Sequence, residues 1–321
     1  VTNVRVVGLL IALAVAVASW VLTCAAWRFD EVAAGVLPLE ARGFERLTVV
    51  TLGTGGAYEN HLRRGPATAV AAGTDVVLVD AGRGVAEALR AAKIPVSQPG
   101  TLLLTHLLPE NTLGLDDLLV MGWLDGRREP LRLRGPAGTA ALARDVEAAA
   151  HLGSGALGEA LALGPPPRFE VEEFSGGESL AIGELRVSAG ALPGGPTPAL
   201  AWRFEWQERS AVVSATGWAG DALSAFASGA KLLVHEAAMV PTPEQAAEAG
   251  LDTDPDRLRR EAALHASFEQ AGDIARRAGV EALVLVRLRP PPVYDLQVTT
   301  LVDDHFPGRV VIASDGDEIT P

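Results

Sequence analysis

The hydrophobic pattern divides the chain into an uncharged leader and a long region of short apolar runs. Residues Val6–Trp27 carry no charge and are apolar on every face. At about 1.5 Å per residue such a helix crosses a hydrocarbon core of about 30 Å. From Leu47 onward the pattern changes. Short segments there alternate or run apolar, as expected of buried strands. Leu47–Leu52, Ala67–Ala71, Val76–Val79, Leu102–Thr105 and Pro130–Leu133 read as strands of a first half. Val85–Ala92, Leu113–Leu124 and Ala140–Ala150 read as its helices. Phe169–Phe174, Glu184–Ala189, Ala199–Trp206, Ser210–Ser214, Lys231–Val234, Ala282–Val286 and Val310–Ala313 give the strands that follow. Ala222–Ala227 and Ser267–Ala278 supply helices there. Strands that lead and then alternate with helices, in both halves, predict two β-layers packed inside helices. The Gly, Ala and Pro-rich segment Gly153–Pro167 has no strong period and reads as a loop or a partly helical cap.

These boundaries predict an N-terminal transmembrane anchor or signal segment over 1–29, a connector over 30–46 and one domain over 47–321. An uncleaved anchor is the expectation, because the apolar run exceeds the usual core of a cleaved signal peptide. Cys24-Ala25-Ala26 keeps cleavage, and hence secretion, open as the alternative. Arg5 precedes the segment, whereas Arg28 is offset by Asp30 and Glu31, which favours export of the domain.

Composition narrows the partners. The net charge of −13 opposes a nucleic-acid partner, since phosphate binding needs clustered Lys and Arg. A single cysteine, Cys24, excludes an intrachain disulfide and a Cys-based zinc knuckle. The membrane, through residues 6–27, and an unidentified small molecule or protein remain as partners.

The candidate chemistry centres on Thr101–Leu115, where an apolar strand delivers Thr105-His106 to a short polar loop closed by Gly114-Leu115. Around it, Thr51–Gly56, Leu78-Val79-Asp80-Ala81-Gly82, Gly114–Leu118, Gly135–Gly138, Leu233–Ala237, His265-Ala266-Ser267 and Ala313–Gly316 occur in a fixed order. The ordered set resembles the metallo-β-lactamase superfamily, in the branch of ribonuclease Z and the arylsulfatase-like hydrolases. The resemblance implies an αββα sandwich with a site at one edge of the sheets.

It also implies a His-x-His-x-Asp-His loop, a later His, a bridging Asp and a final His. Such a set holds two metals about 3.5–4 Å apart, which clamp the attacking and leaving oxygens. Carried onto this chain, the loop retains His106 but has Leu108, Glu110 and Asn111 at the other three positions. The interval Ser188–Ala199 offers no later His, Thr216 stands at the bridging Asp, and Arg287 at the final His. Leu108 has no donor atom, Asn111 offers a neutral carbonyl, and Arg287 brings a permanent positive charge. Asp80 matches a residue that orients metal ligands in the family, or caps the turn at Gly82. The resemblance assigns Glu236 and His265, beside His235, to proton transfer. The bland readings are a core hydrogen bond for His235, an ion pair with Arg287 for Glu236, and a helix-start or surface position for His265.

The expectation is therefore a binding or scaffold domain on a hydrolase fold, without cofactor and without the binuclear activity. The alternative is a residual hydrolase of phosphodiesterase or sulfatase/esterase type, with one weakly held zinc or manganese at His106 and Glu110.

Overall fold

The apolar runs form strands whose successive residues face two different layers. In the computed structural model, which describes residues 2–56, 62–215, 217, 220–289 and 295–321, the chain divides into residues 1–40 and 41–321. The first unit carries helix α1 (Thr2–Val36), which continues into the segment read as connector. Its window Leu10–Phe29 has a mean hydropathy of 2.1 over 20 residues, a length and composition that suit a membrane span or a signal segment.

The second unit opens with β1 (Phe44–Gly53), β2 (Ala67–Gly73), β3 (Asp75–Val79), α2 (Val85–Ala91) and β4 (Thr101–Leu103). It continues through α3 (Pro109–Thr112), α4 (Leu115–Leu124), β5 (Leu131–Gly135), α5 (Thr139–Leu161) and β6 (Phe169–Glu173). Next come β7 (Ser179–Ile182), β8 (Leu185–Ala191), β9 (Leu200–Trp206), β10 (Arg209–Val213), α6 (Gly220–Phe226) and β11 (Leu232–Ala238). The last elements are α7 (Pro243–Glu248), α8 (Pro255–Ala262), α9 (Phe268–Ala278), β12 (Ala282–Arg289), α10 (Asp295–Val302), β13 (Arg309–Ile312) and β14 (Asp317–Ile319).

Two seven-stranded sheets result, in the orders β14-β1-β2-β3-β4-β5-β6 and β13-β12-β11-β10-β9-β8-β7. The last strand thus returns to the edge of the first sheet, a closure absent from the predicted elements. Val49, Val70, Val77 and Leu103 pack between the sheets against Trp202, Phe204 and Val234. Their neighbours Val50, Leu78 and Leu102 turn outward onto α2 and α4. On the far side Val212, Leu233 and Leu283 pack under α6 and α9. Period-two alternation with both faces covered explains why these strands look apolar throughout. The expected α/β/β/α order of layers is present.

The 153–167 segment takes the partly helical one of its two expected forms: Gly153, Gly155 and Gly158 lie inside α5, which runs through Leu161. A Cβ at Gly158 would stand 3.2 Å from the Trp123 ring, so the glycine lets α5 approach α4.

The loops beside the site are fixed by backbone packed on backbone. Gly82 donates to Pro66 O at 2.8 Å, and a Cβ there would lie 2.5 Å from both Gly65 C and Pro66 N. Backbone cannot swing aside as a side chain does. Gly82→Ala is therefore expected to destabilise the domain at the upper end of about 1–3 kcal/mol, read as a lowered urea midpoint with unchanged slope.

Candidate functional site

Asp80 follows β3 directly and adopts a left-handed backbone, φ 61°. A non-glycine residue there is uncommon and marks a conformation held by its surroundings. The side chain is buried and accepts four kinds of donor. Thr105 N and Asn111 Nδ2 donate at 2.8 and 2.6 Å, and the Thr105 hydroxyl lies 2.8 Å from Oδ2. The fourth is the Arg287 guanidinium, also at 2.8 Å. Burial raises the Asp80 carboxyl above its ordinary value, while the Arg287 charge and the Thr105 and Asn111 hydrogen bonds pull it back.

Arg287 comes from the opposite sheet. Its φ is 55°, and its N–H donates to Thr54 O at 2.8 Å. The pairing of β11 with β12 is regular to Glu236 and Val286 and resumes at Ala238 and Arg289, so two residues of β12 face one of β11. This bulge re-aims the Arg287 side chain inward. The expected pairing of Arg287 with Glu236 is thereby corrected: the guanidinium meets Asp80. Asp80 in turn ties together Thr105, Asn111 and Arg287 rather than capping the turn at Gly82.

His106 extends the network toward the surface. Its Nδ1 lies 2.8 Å from the Thr105 oxygen, whose hydrogen is directed to Asp80; Nδ1–H is then the donor and Nε2 carries the lone pair. Nε2 is buried and has no partner among the described residues, as is Asn111 Oδ1. Burial, with the Arg287 charge second, lowers His106 from 6.5 to about 3. His235, wholly buried in the middle of β11, has Nδ1 2.6 Å from the Ser214 hydroxyl, and its Nε2 is likewise without partner among the described residues. Burial lowers it to about 4, with Glu236 opposing and Arg287 assisting the shift. The core hydrogen bond expected of His235 is thus present.

Glu236 accepts from Gly217 N–H and from His265, whose Nδ1 lies 3.1 Å from Oε2. His265 precedes the capping residue of α9, Ser267, and is neither a cap nor a surface group. Its Nε2 faces an Arg289 guanidinium nitrogen at 3.5 Å, and Arg289 pairs with Glu261 of α8.

These residues border a cleft of about 350 Å³ between the halves of the domain. His106, Leu108 and Glu110 enter from the first half, the segment Leu192–Ala199 lies between, and Arg257, Arg260 and His265 enter from the second. Asp80, Asn111, Arg287 and His235 lie behind this wall in the core, and Thr216 lies outside the described residues. Among the described residues no three His, Cys, Asp or Glu side chains converge as a metal-ligand group. The sequence places Ser214 and Gly217 in the turn around Thr216 but shows neither their contacts to His235 and Glu236 nor the α8 wall. Helix α8 carries no motif, and only the folded chain brings it to the site.

Two stacked seven-stranded sheets clad in helices, with loops of both sheets meeting at one edge, define a metallo-β-lactamase fold. Solved structures agree: the metallo-β-lactamase fold protein YhfI from Bacillus subtilis superimposes with a TM-score of 0.67 at 19% identity, over 87% of this chain and all of that one. The short form of human tRNase Z gives 0.61 at 19% identity, over 85% and 99%. No family model matches the chain. Among curated proteins, ribonuclease Z of Mycobacterium sp. (strain KMS) is 32% identical over 275 residues, 84% of this chain and 94% of the relative. Ribonuclease Z of Mycobacterium bovis (strain BCG / Pasteur 1173P2) is 31% identical over 281 residues, 84% and 96%. The chain belongs to the ribonuclease Z family.

Proposed function

We propose that this chain is a non-catalytic member of its family, a membrane-tethered binding or scaffold domain without a metal centre. The observation that carries the reading is the buried Arg287–Asp80 pair. A fixed guanidinium at the centre of the donor set repels divalent cations and occupies the carboxylate that would orient their ligands. Leu108 and Asn111 add no anionic or imidazole donor on the loop. The residues present do not fit a pair of divalent metals.

The proton-transfer remnants support the same reading. With His265 Nδ1–H directed at Glu236 and Nε2 covered by Arg289, the imidazole has no proton to hand into the cleft. The apolar window Leu10–Phe29 supports tethering. Metal analysis of the purified protein, expressed with added zinc and manganese, tests the reading. Well under one equivalent of either per chain is expected, and two equivalents of zinc or manganese would overturn it.

One observation favours a second reading, the residual hydrolase. The His106 Nε2 lone pair has no partner among the described residues, nor does the Glu110 carboxylate, and both residues border the cleft. One weakly held zinc or manganese there would supply Lewis-acid chemistry, and His106→Ala would then abolish hydrolysis of an activated phosphodiester such as bis(p-nitrophenyl) phosphate. The non-catalytic reading expects no hydrolysis above background in either protein.

A further inference from the structure

The charges of the cleft are sorted by wall. On the first-half wall stand two acceptors: the half-buried Glu110 carboxylate and His106 Nε2, held in acceptor form by Thr105 behind it. On the second-half wall stand Arg257 and Arg260, one turn apart on the same face of α8. Helix α8 is itself positioned by Asp254, which caps it by accepting from Asp256 N–H at 2.9 Å. Several charges at the cleft are already matched. Arg289 pairs with Glu261, His265 with Glu236, and Arg260 lies 3.5 Å from Asp254. Glu110 and Arg257 make no ion pair or side-chain hydrogen bond among the described residues. Between the walls the surface is apolar, with Leu108, Leu192, Pro196 and Leu264.

We infer that the cleft binds a small zwitterion with an apolar body, its ammonium group against Glu110 and His106 Nε2 and its carboxylate against Arg257 and Arg260. The inference rests on the metal-free reading, since a cation at His106 and Glu110 would occupy the ammonium position. An ammonium is the complement of that wall: it has three donors and no acceptor, and it meets one charged and one neutral acceptor. A neutral apolar ligand would leave a desolvated carboxylate and a buried lone pair unmatched. The volume of about 350 Å³ suits a ligand of dipeptide size.

Leucyl-leucine is the probe, titrated calorimetrically into the purified chain in EDTA. Saturable binding of one molecule per chain is expected. N-acetylation and C-terminal amidation of the probe should each weaken it tenfold or more. Glu110→Gln should erase the discrimination against the acetylated probe, and Arg257→Ala should reduce that against the amide. Neither side chain supports the fold through a partner, so both variants are expected to unfold at the parent's midpoint. No saturable binding, or equal affinity for the three probes, overturns the inference. Metal analysis of the same preparation, taken before EDTA is added, separates the two levels. A metal-free chain that ignores leucyl-leucine defeats this inference alone, whereas two retained equivalents of zinc defeat both it and the proposed function.

Discussion

Arg287→Met is expected to destabilise the folded domain by about 3–5 kcal/mol at neutral pH, the cost of stranding a buried carboxylate without its counter-charge. Methionine keeps most of the stem volume, so the loss reports charge rather than a cavity. Asp80 is 1% exposed, and burial already raises its carboxyl; Arg287 is the strongest influence opposing that rise. Thr105 and Asn111 would still donate, but neither carries charge. The discriminating variant is the double one. Asp80→Asn with Arg287→Met removes both charges and is expected to recover most of the loss, since a buried ion pair replaced as a unit is often nearly neutral. Urea unfolding of the single and double variants measures both quantities. A single variant within about 0.5 kcal/mol of the parent would mean that the pair is not a buried charge pair at all.

Acid is expected to unfold this domain well above the pH at which its carboxylates titrate. His106 and His235 have their values lowered from 6.5 to about 3 and about 4. The sign follows from proton uptake. Between pH 6.5 and about 4 the unfolded chain binds protons at both imidazoles and the folded chain does not, so stability falls as pH falls. Above 6.5 both states are neutral at these rings and the contribution is complete. Each histidine supplies a slope of about 1.4 kcal/mol per pH unit, and the two together roughly 3. The melting temperature measured from pH 7.5 to 4.5 should drop steeply across this window. His235→Phe should remove about half of the slope. A flat profile between pH 6.5 and 5 would show that the two rings are not held neutral.

The layered fold was legible because burial on both faces leaves an unmistakable trace. Val49 and Val50 face different cores, and so do Val77 and Leu78, which makes each strand apolar throughout. Past Ala150 helix α5 was legible only as one of two alternatives, because Gly153, Gly155 and Gly158 carry weak helix propensity, and the close approach of Gly164 O and the Trp123 ring explains the last of them. The site divides along similar lines. Asp80, His106, Glu236 and His265 were singled out by ordered motifs, and Glu236 and His265 lie together. Arg287 was recognised as a displaced ligand but given the wrong partner. The bulge that turns its side chain toward Asp80 is a property of strand register, and one residue of slip reverses the facing of everything after it. The basic wall of the cleft was invisible for another reason: α8 is an exposed, polar helix whose sequence gives no sign of what it stands against.

The Asp80–Arg287 pair joins residues 207 positions apart, one behind β3 in the first sheet and one in β12 in the second. Closing so long a loop is entropically costly, and the contact has value only after both sheets have formed and excluded water. Such a contact belongs late on the folding path. It does little to speed the assembly of the sandwich and much to slow its opening, because the two sheets cannot separate without stranding both charges. A residue placed where cations would be expected thus acts on time: it sets how long the folded domain lasts once made, rather than how quickly it is made.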